Sequence, residues 1–443
     1  MEKRNIVLIT LDSVRADHCS HLGYERKTTP TIDKMAKNGL CFENAIASGV
    51  PTLPSMFGIF TGDFALNNAG VFMGKGQGRE WRKSISNKKT LAETLSEMGY
   101  ETRAYTDNPF SKEYFGLNKG FDYLYDSSKS SDSDGFSLDP FQIGDDTPFA
   151  GREFFRDKGG FLSKIKSLWS AVGTLVKEER KVKPWEKLYP DIIKGIEEAE
   201  EPYFIWILLI DTHLPYVPKI KKWRSNQILN LYLSYKIMRE GERSIRFNRK
   251  DRKRIIDAYD DTILYSDMFI GKLWKDLRDD DPIFIVHADH GEGFGEHGYY
   301  GHPTELYEEL VHVPLVVFNA EAKGKVKKPF SLKDLSSIIL LETINIDNFP
   351  GKTPFEKDSD WVISKVFERN KRKIAVRMKD WKFISKEDGV DKLYNLANDP
   401  EEQKNLVNKH PELEKLIKRI VSLSEKKESE KKRLRDKISK IRG

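Results

Sequence analysis

Asp289 and His290 end an apolar run, and Glu292, Glu296, His297 and His302 follow within Ile283–His302 (IFIVHADHGEGFGEHGYYGH). Carboxylate and imidazole are the donors that divalent cations take, and the glycines between them let backbone approach a bound group closely. Of the chain's nine histidines, His287, His290, His297 and His302 all fall in this window. A solvated loop after a strand is the competing reading. The concentration of donors favours a metal or anion site.

Three other stretches offer groups to the same chemistry. Ile6–Leu11 reads as a buried parallel strand that delivers Asp12 to its carboxyl end, ahead of Ser13, Arg15 and Asp17. Ligands of open α/β sheets collect at such ends, so Asp12 is a candidate metal ligand, with a helix N-cap as the alternative. Ser48–Gly62 (SGVPTLPSMFGIFTG) reads as a tight turn and then a helix over Pro54–Phe60. Its hydroxyls, Thr52 and Ser55, lie where a helix N-terminus favours anions; capping and chemistry both remain open for them. Tyr203–Pro218 (YFIWILLIDTHLPYVP) reads as another buried strand, ending in Asp211, His213 and Pro215.

The elements that must position these groups alternate between strand and helix. Pro30–Gly39 reads as a helix closed by Gly39, Cys41–Ala47 as a short strand, and Tyr259–Leu277 as an amphipathic helix before the central strand. Phe161–Val176 has apolar residues at helical spacing: a helix packed on the core, or a lid or membrane-surface helix. Trp361–Phe367, Lys373–Ser385 and Leu393–Leu396 have strand composition, and Pro411–Gly443 is helical with a stripe of Leu413, Leu416, Ile417, Ile420 and Leu423. From Glu425 onward nine Lys and Arg stand against four Asp and Glu, which suits a solvated helix better than an anchor to acidic lipid.

Composition narrows the class. The chain has 443 residues, a net charge of +6 and a mean hydropathy of −0.59. No run is long enough for a signal peptide or membrane span, and no nucleic-acid footprint is expected. Two cysteines, Cys19 and Cys41, exclude a disulfide scaffold and favour a reducing, cytoplasmic setting. Peripheral membrane contact through the basic tail or helix 161–176 is the alternative. The cations of Lys219–Arg254 form either a solvated face or a funnel for an anionic substrate. Oligomeric state is unknown at this level.

Four ordered pieces resemble the sulfatase family of the alkaline phosphatase superfamily: VLITLDSVRADHCSHLGY, TLPSMFGIFTG, ADHGEGFGEHG with YEELVHVPLVV, and DKLYNLANDPEEQKNL. The resemblance runs from the first strand to about Leu406. It implies an α/β fold, a mostly parallel central sheet sandwiched by helices, with a small antiparallel C-terminal subdomain. The boundaries expected are 1–330 for the catalytic domain, with 127–200 as an insertion or lid, 331–408 for the small subdomain, and 409–443 for a charged helical tail.

The family's signature reads Cys or Ser, any residue, Pro, Ser, Arg; here it reads Thr52-Leu53-Pro54-Ser55-Met56. Conversion to formylglycine needs Cys or Ser, so the resemblance implies direct attack by an unmodified Thr52. It also implies a divalent ion (Ca, Mn, Mg or Zn) on Asp12, Thr52, Asp289 and His290. His213 would meet the transferring oxygens, and His302, where the family places a lysine, would be an anion contact or general acid. Asn108 and Ser55 would contact substrate. In the two-metal branch, Asp211, His213 and His302 would form a second metal site. The expected activity is hydrolysis or transfer of an anionic small-molecule, glycan or lipid ester. Phosphoesters and phosphodiesters are favoured over sulfuric esters, and a degenerate, non-catalytic anion-binding protein is the rival from another class.

Overall fold

The computed structural model describes residues 3–65, 77–108, 116–125, 184–220, 222–223, 227–240, 243, 245–344, 360–368 and 371–442. The central sheet has eight strands: β1 (Ile6–Leu11), β2 (Leu40–Phe42), β3 (Glu101–Thr106), β4 (Tyr123–Leu124), β5 (Tyr203–Leu209), β6 (Ile283–Ala288), β7 (Leu315–Phe318) and β8 (Gly324–Val326). Their order is β8-β2-β7-β6-β1-β5-β3-β4, and β7 alone runs antiparallel to its neighbours. β1, β5 and β6 are buried along their whole length, which is why they read as nearly continuous apolar runs. Thr10 and His287 interrupt those runs without cost because they pair. Thr10 Oγ1 lies 2.9 Å from His287 Nε2 and accepts from Trp206 Nε1 at 3.1 Å. His287 is thus a satisfied core residue, and burial pushes its pKa down to about 4.

Register is what gathers the site. Leu11 sits opposite both Leu209 and Ala288, so β1, β5 and β6 end at one level. The residues that leave these ends are Asp12, the Ile210–His213 turn, and Asp289 with His290.

Helices α1 (Pro30–Asn38), α2 (Thr52–Thr61), α3 (Gln77–Ser86), α4 (Leu91–Glu97), α5 (Trp185–Glu197), α6 (Gln227–Glu240), α7 (Arg249–Asp276), the single turn α8 (Glu308–Val311) and α9 (Leu335–Ile344) complete the main body. Several expected bounds move. α2 begins at Thr52 rather than Pro54, which puts Thr52 in its first turn. α7 starts at Arg249, where the Asn248 side chain caps it by accepting from Asp251 N. The stretch Cys41–Ala47 divides between β2 and the two-residue strand Ala45–Ile46 of another small sheet.

α5 falls within the expected insertion 127–200, yet it packs on β3 and α7. A Cβ on Gly195 would come within 1.6 Å of Tyr105 Oη, so this helix is seated directly on the sheet. The candidate helix 161–176 lies outside the described residues. α9 joins the main core against α2, so the main body extends beyond the expected boundary at residue 330.

The C-terminal sheet is a four-stranded antiparallel meander: β9 (Trp361–Glu368), β10 (Lys371–Met378), β11 (Trp381–Lys386) and β12 (Lys392–Asn395). The run expected over Lys373–Ser385 is two strands, split by a turn at Lys379–Asp380. One face, with Ile374, Val376, Phe383 and Leu393, forms a second apolar core with Ile417 of α10 (Pro411–Arg442). Leu413 and Ile420 join that core, whereas Leu416 and Leu423 are exposed, so the start of α10 is docked rather than solvated all round. Among the described residues no helix is long and apolar enough to cross a membrane.

The opposite face carries Lys373, Arg377, Lys382 and Lys386 toward the main body. Lys382 is fully buried, 2.9 Å from Glu308 and 3.2 Å from Glu402, and Arg377 adds a contact to Glu308 at 3.1 Å. Removing one partner of a buried pair leaves a charge stranded in low dielectric. Lys382→Met should therefore cost roughly 3–5 kcal/mol of stability in urea unfolding. A loss below about 1 kcal/mol would mean that these ion pairs do not hold the two sheets together.

Candidate active site and metal centre

Asp12, Asp289 and His290 converge where β1 and β6 end, and all are fully buried. One donor atom from each lies within 4.8 Å of the others; among the described residues this is the one His, Cys, Asp and Glu group so arranged. Asp12 Oδ1 accepts from Ser13 Oγ at 2.8 Å and Oδ2 from Asn108 Nδ2 at 3.0 Å. Asp289 Oδ1 accepts from the backbone N–H of Ser13 (3.1 Å) and of His290 (2.9 Å). Asp289 Oδ2 is buried and has no hydrogen-bond partner. His290 donates Nδ1–H to Gly291 O at 2.9 Å, which leaves Nε2 unprotonated, 3.6 Å from Asp289 Oδ2 and 3.9 Å from Asp12 Oδ1.

The electrostatics of this arrangement favour a cation. Burial raises the pKa of both carboxyls, that of Asp289 to about 6, and the nearby Asp289 raises Asp12 further. Burial, and then His302, pushes His290 down to about 4, so the ring brings no positive charge. Two buried carboxylates, one orphaned oxygen and one free imidazole nitrogen are a donor set that fits a divalent cation.

The scaffold around the cluster is specific. Ser13 adopts φ 64°, a left-handed conformation rare for a residue other than glycine, and so aims its N–H at Asp289. Tyr259 of α7 holds that turn: its hydroxyl donates to Ser13 O at 2.6 Å and accepts from Arg15 N at 2.9 Å. Gly291 has no room for a side chain, because a Cβ there would meet Glu309 O at 2.0 Å. Arg15 fixes the glycine-rich loop through Glu292 O at 3.1 Å and Glu296 at 2.8 Å.

The other expected residues divide. Thr52, in the first turn of α2, places Oγ1 3.3 Å from His290 Nε2. Ser55 is fully buried and donates to Asp289 O at 2.6 Å, so its hydroxyl serves the scaffold rather than a substrate. Asn108 is engaged with Asp12. Met56 is fully buried in the main core, so this position presents nothing to an anion.

His213 and His302 face each other with ring centroids 4.9 Å apart, and His302 lies 4.7 Å from the His290 ring. His213 donates Nδ1–H to Leu214 O at 2.7 Å, and His302 Nδ1 lies 3.1 Å from Glu292 Oε1. Asp211 does not join them. It accepts from Trp185 N of α5 at 3.4 Å, and burial pushes its pKa to about 7. The turn after β5 sends Asp211 toward α5 and His213 toward the cluster, so the second metal set of Asp211, His213 and His302 is not assembled. The positioning roles of Glu292, Ser13 and Tyr259 are not among the expectations from sequence. Glu292 alone carried a signal, its position in the donor-rich window.

A sequence model of the Sulfatase family matches residues 4–341. The chain belongs to the sulfatase family. An arylsulfatase of Clostridium perfringens is 24% identical over 92% of this chain and 90% of its own length. An N-acetylgalactosamine-6-O-sulfatase of Bacteroides thetaiotaomicron is 25% identical over 93% and 91%. The crystal structure of a phosphonate monoester hydrolase of Agrobacterium radiobacter shares the fold, with a TM-score of 0.66 at 16% identity and 96% of both chains covered. The protein is accordingly an ester hydrolase of a metal-dependent family.

Ion binding requires Asp289 ionised, and its pKa of about 6 means that protons compete for it below that pH. A raised carboxyl pKa favours the protonated folded form, so the sign is definite: metal affinity falls as pH drops from 7 to 5. Added Mn²⁺ should raise Tm more at pH 7 than at pH 5, and Asp289→Asn should lose both bound metal and the shift. Equal shifts at the two pH values, or full metal content in Asp289→Asn, would contradict this donor set.

Proposed function

We propose that the protein cleaves an anionic ester, a phosphoester or phosphodiester in preference to a sulfuric ester, with unmodified Thr52 as nucleophile. The observation that carries this reading is the Thr52 hydroxyl, 3.3 Å from the unprotonated His290 Nε2 at the edge of the buried Asp12–Asp289 pair. Asp12, Asp289, His290 and Thr52 Oγ1 would hold one divalent ion. Such an ion supplies Lewis acidity, easing loss of the hydroxyl proton and neutralising charge on the transferring oxygens.

The remaining steps belong to side chains. Thr52 Oγ1, its proton released to solvent, bonds to the phosphorus as the bond to the leaving oxygen breaks, and that oxygen takes a proton from an imidazolium. His302 and His213 both turn Nε2 away from their anchored Nδ1, and either ring can protonate that oxygen. Glu292 fixes the His302 ring, so it is a positioning residue. A water then displaces Thr52, giving a proton to the same imidazole, and the departing Thr52 oxygen regains its proton from solvent.

Substrate preference follows from charge. Among the described residues the hydrogen bonds and ion pairs of Asp12, Thr52, Asp289 and His290 include no lysine or arginine, and Met56 stands where the family signature has arginine. One bidentate, charge-assisted contact is therefore absent, worth roughly 1.5–3 kcal/mol. Phosphoryl oxygens, better metal ligands than those of a sulfuric ester, recover more of that. Family membership favours sulfuric-ester hydrolysis as the second reading, and the relative acting on an N-acetylgalactosamine ester supports an anionic glycan as substrate. The intact Asp12–Asp289–His290 cluster argues against a non-catalytic binding protein.

Thr52→Ala should lower turnover by roughly 10³-fold or more while most metal is retained. Mass spectrometry should find threonine, not an aldehyde, at position 52. Paired aryl phosphate, phosphodiester and sulfate substrates should give higher kcat/KM for a phosphorus ester. Near-normal turnover in Thr52→Ala, or a preference for the sulfate, would refute the reading.

A further inference from the structure

The basic face of the C-terminal sheet is not evenly compensated. At one end Lys382 and Arg377 share Glu308 and Glu402. At the other, Lys373 and Lys386 sit directly opposite each other on β10 and β11, an arrangement that costs free energy unless something neutralises it. Glu305 does part of this, contacting Lys373 at 3.0 Å, Lys386 at 2.9 Å and Arg243 at 3.0 Å. Glu368 is also shared, 2.6 Å from Lys373 and 3.6 Å from Arg243.

Lys392 of β12 makes the excess plain. It is half-buried, its ammonium donates to Tyr307 Oη, and among the described residues no carboxylate lies within ion-pair distance. Burial, and then the neighbouring Lys386, lowers its pKa. Four cations, Arg243, Lys373, Lys386 and Lys392, thus face two carboxylates, Glu305 and Glu368; Glu402 also attracts Lys392, beyond ion-pair distance, but is already paired with Lys382. Nearby charges do not redress this. His297 pairs with Glu309, Asp391 with Lys418, and Asp388 with Lys371.

Arg243, Lys386 and Lys392, with Glu305 and Tyr307, line a cavity of about 250 Å³ between the loop His297–Tyr307 and the strands β11 and β12. That is ample for a tetrahedral oxyanion with a few waters. We infer that this cavity, lined by Arg243, Lys386 and Lys392, binds a sulfate or phosphate group, either free or carried as a second anionic group on the substrate. The inference does not rest on Thr52 chemistry, because none of these residues belongs to the Asp12–Asp289–His290 cluster. The loop connects the two places: His302 lies between Tyr299 and Glu305, both of which line the cavity.

The test separates the cavity from the active site and one source of anion from the other. Inorganic sulfate and phosphate are titrated calorimetrically into the Asp289→Asn chain, with Lys392 intact or replaced by Met. Lys392→Met strands no carboxylate, so the fold should hold, and thermal melting checks it. Arg243→Gln, at a half-exposed position, serves as a second variant. Anion affinity should fall about tenfold in either variant and be restored by Lys392→Arg. Unchanged affinity in both variants, or no anion binding once Asp289 is replaced, would overturn the site.

In the Asp289-intact protein, kcat/KM is then compared for esters carrying one and two anionic groups. A Lys392→Met loss confined to the doubly anionic ester assigns the cavity to substrate. An equal response of both esters, with inorganic anion binding lost, assigns it to the free anion.

Discussion

Two carboxylates buried side by side are the constraint that the rest of this structure answers. Asp12 and Asp289 leave neighbouring parallel strands at one level because Leu11 pairs with both Leu209 and Ala288. Burial raises both pKa values, and repulsion from Asp289 raises that of Asp12 further, so two ionised carboxylates are unfavourable here unless a cation joins them. Its surroundings hold it regardless. Ser13 accepts a left-handed backbone to donate to Asp289, Tyr259 braces that turn, Ser55 anchors the Asp289 carbonyl and Asn108 binds Asp12. Fixing the donors before the ion arrives is a means of obtaining reactivity at the cost of local stability.

The same logic extends outward. Arg15 ties the glycine-rich loop to the first strand's exit, and Glu292 in that loop fixes His302. Beyond His302 the chain enters the carboxylates Glu305 and Glu308, which the C-terminal sheet grips through Lys373, Arg377, Lys382 and Lys386. That sheet presents charge to the catalytic body and its apolar face to α10, so the small subdomain acts as an electrostatic clamp on the loop carrying His302.

Much of this was legible in the sequence because buried parallel strands are continuous apolar runs, and the residue after such a run falls at the sheet's carboxyl edge. Asp12, Asp289 and His290 were readable for that reason. Asp211 parts from His213 because the two lie in a turn, not a strand, and spacing alone does not fix where a turn aims each side chain. Ser55 looked like a free hydroxyl because nothing local reveals a bond to a carbonyl 234 positions away. Lys373–Ser385 read as one strand because Trp381–Phe383 resumes strand composition just after the turn at Lys379–Asp380. Glu292 meets His302 only through the hairpin Gly293–Gly301, whose pairing is tertiary information.

The role proposed for Thr52 is to carry the transferred group itself. Its most direct test is acid quench of the metal-loaded enzyme during turnover of an aryl phosphodiester, followed by peptide mapping by mass spectrometry. A phosphoryl adduct is expected on the peptide containing Thr52, accumulating in the double variant His213→Ala, His302→Ala, where both rings able to serve displacement by water are gone. Full turnover with no adduct in either protein, or an adduct on a residue other than Thr52, would contradict it.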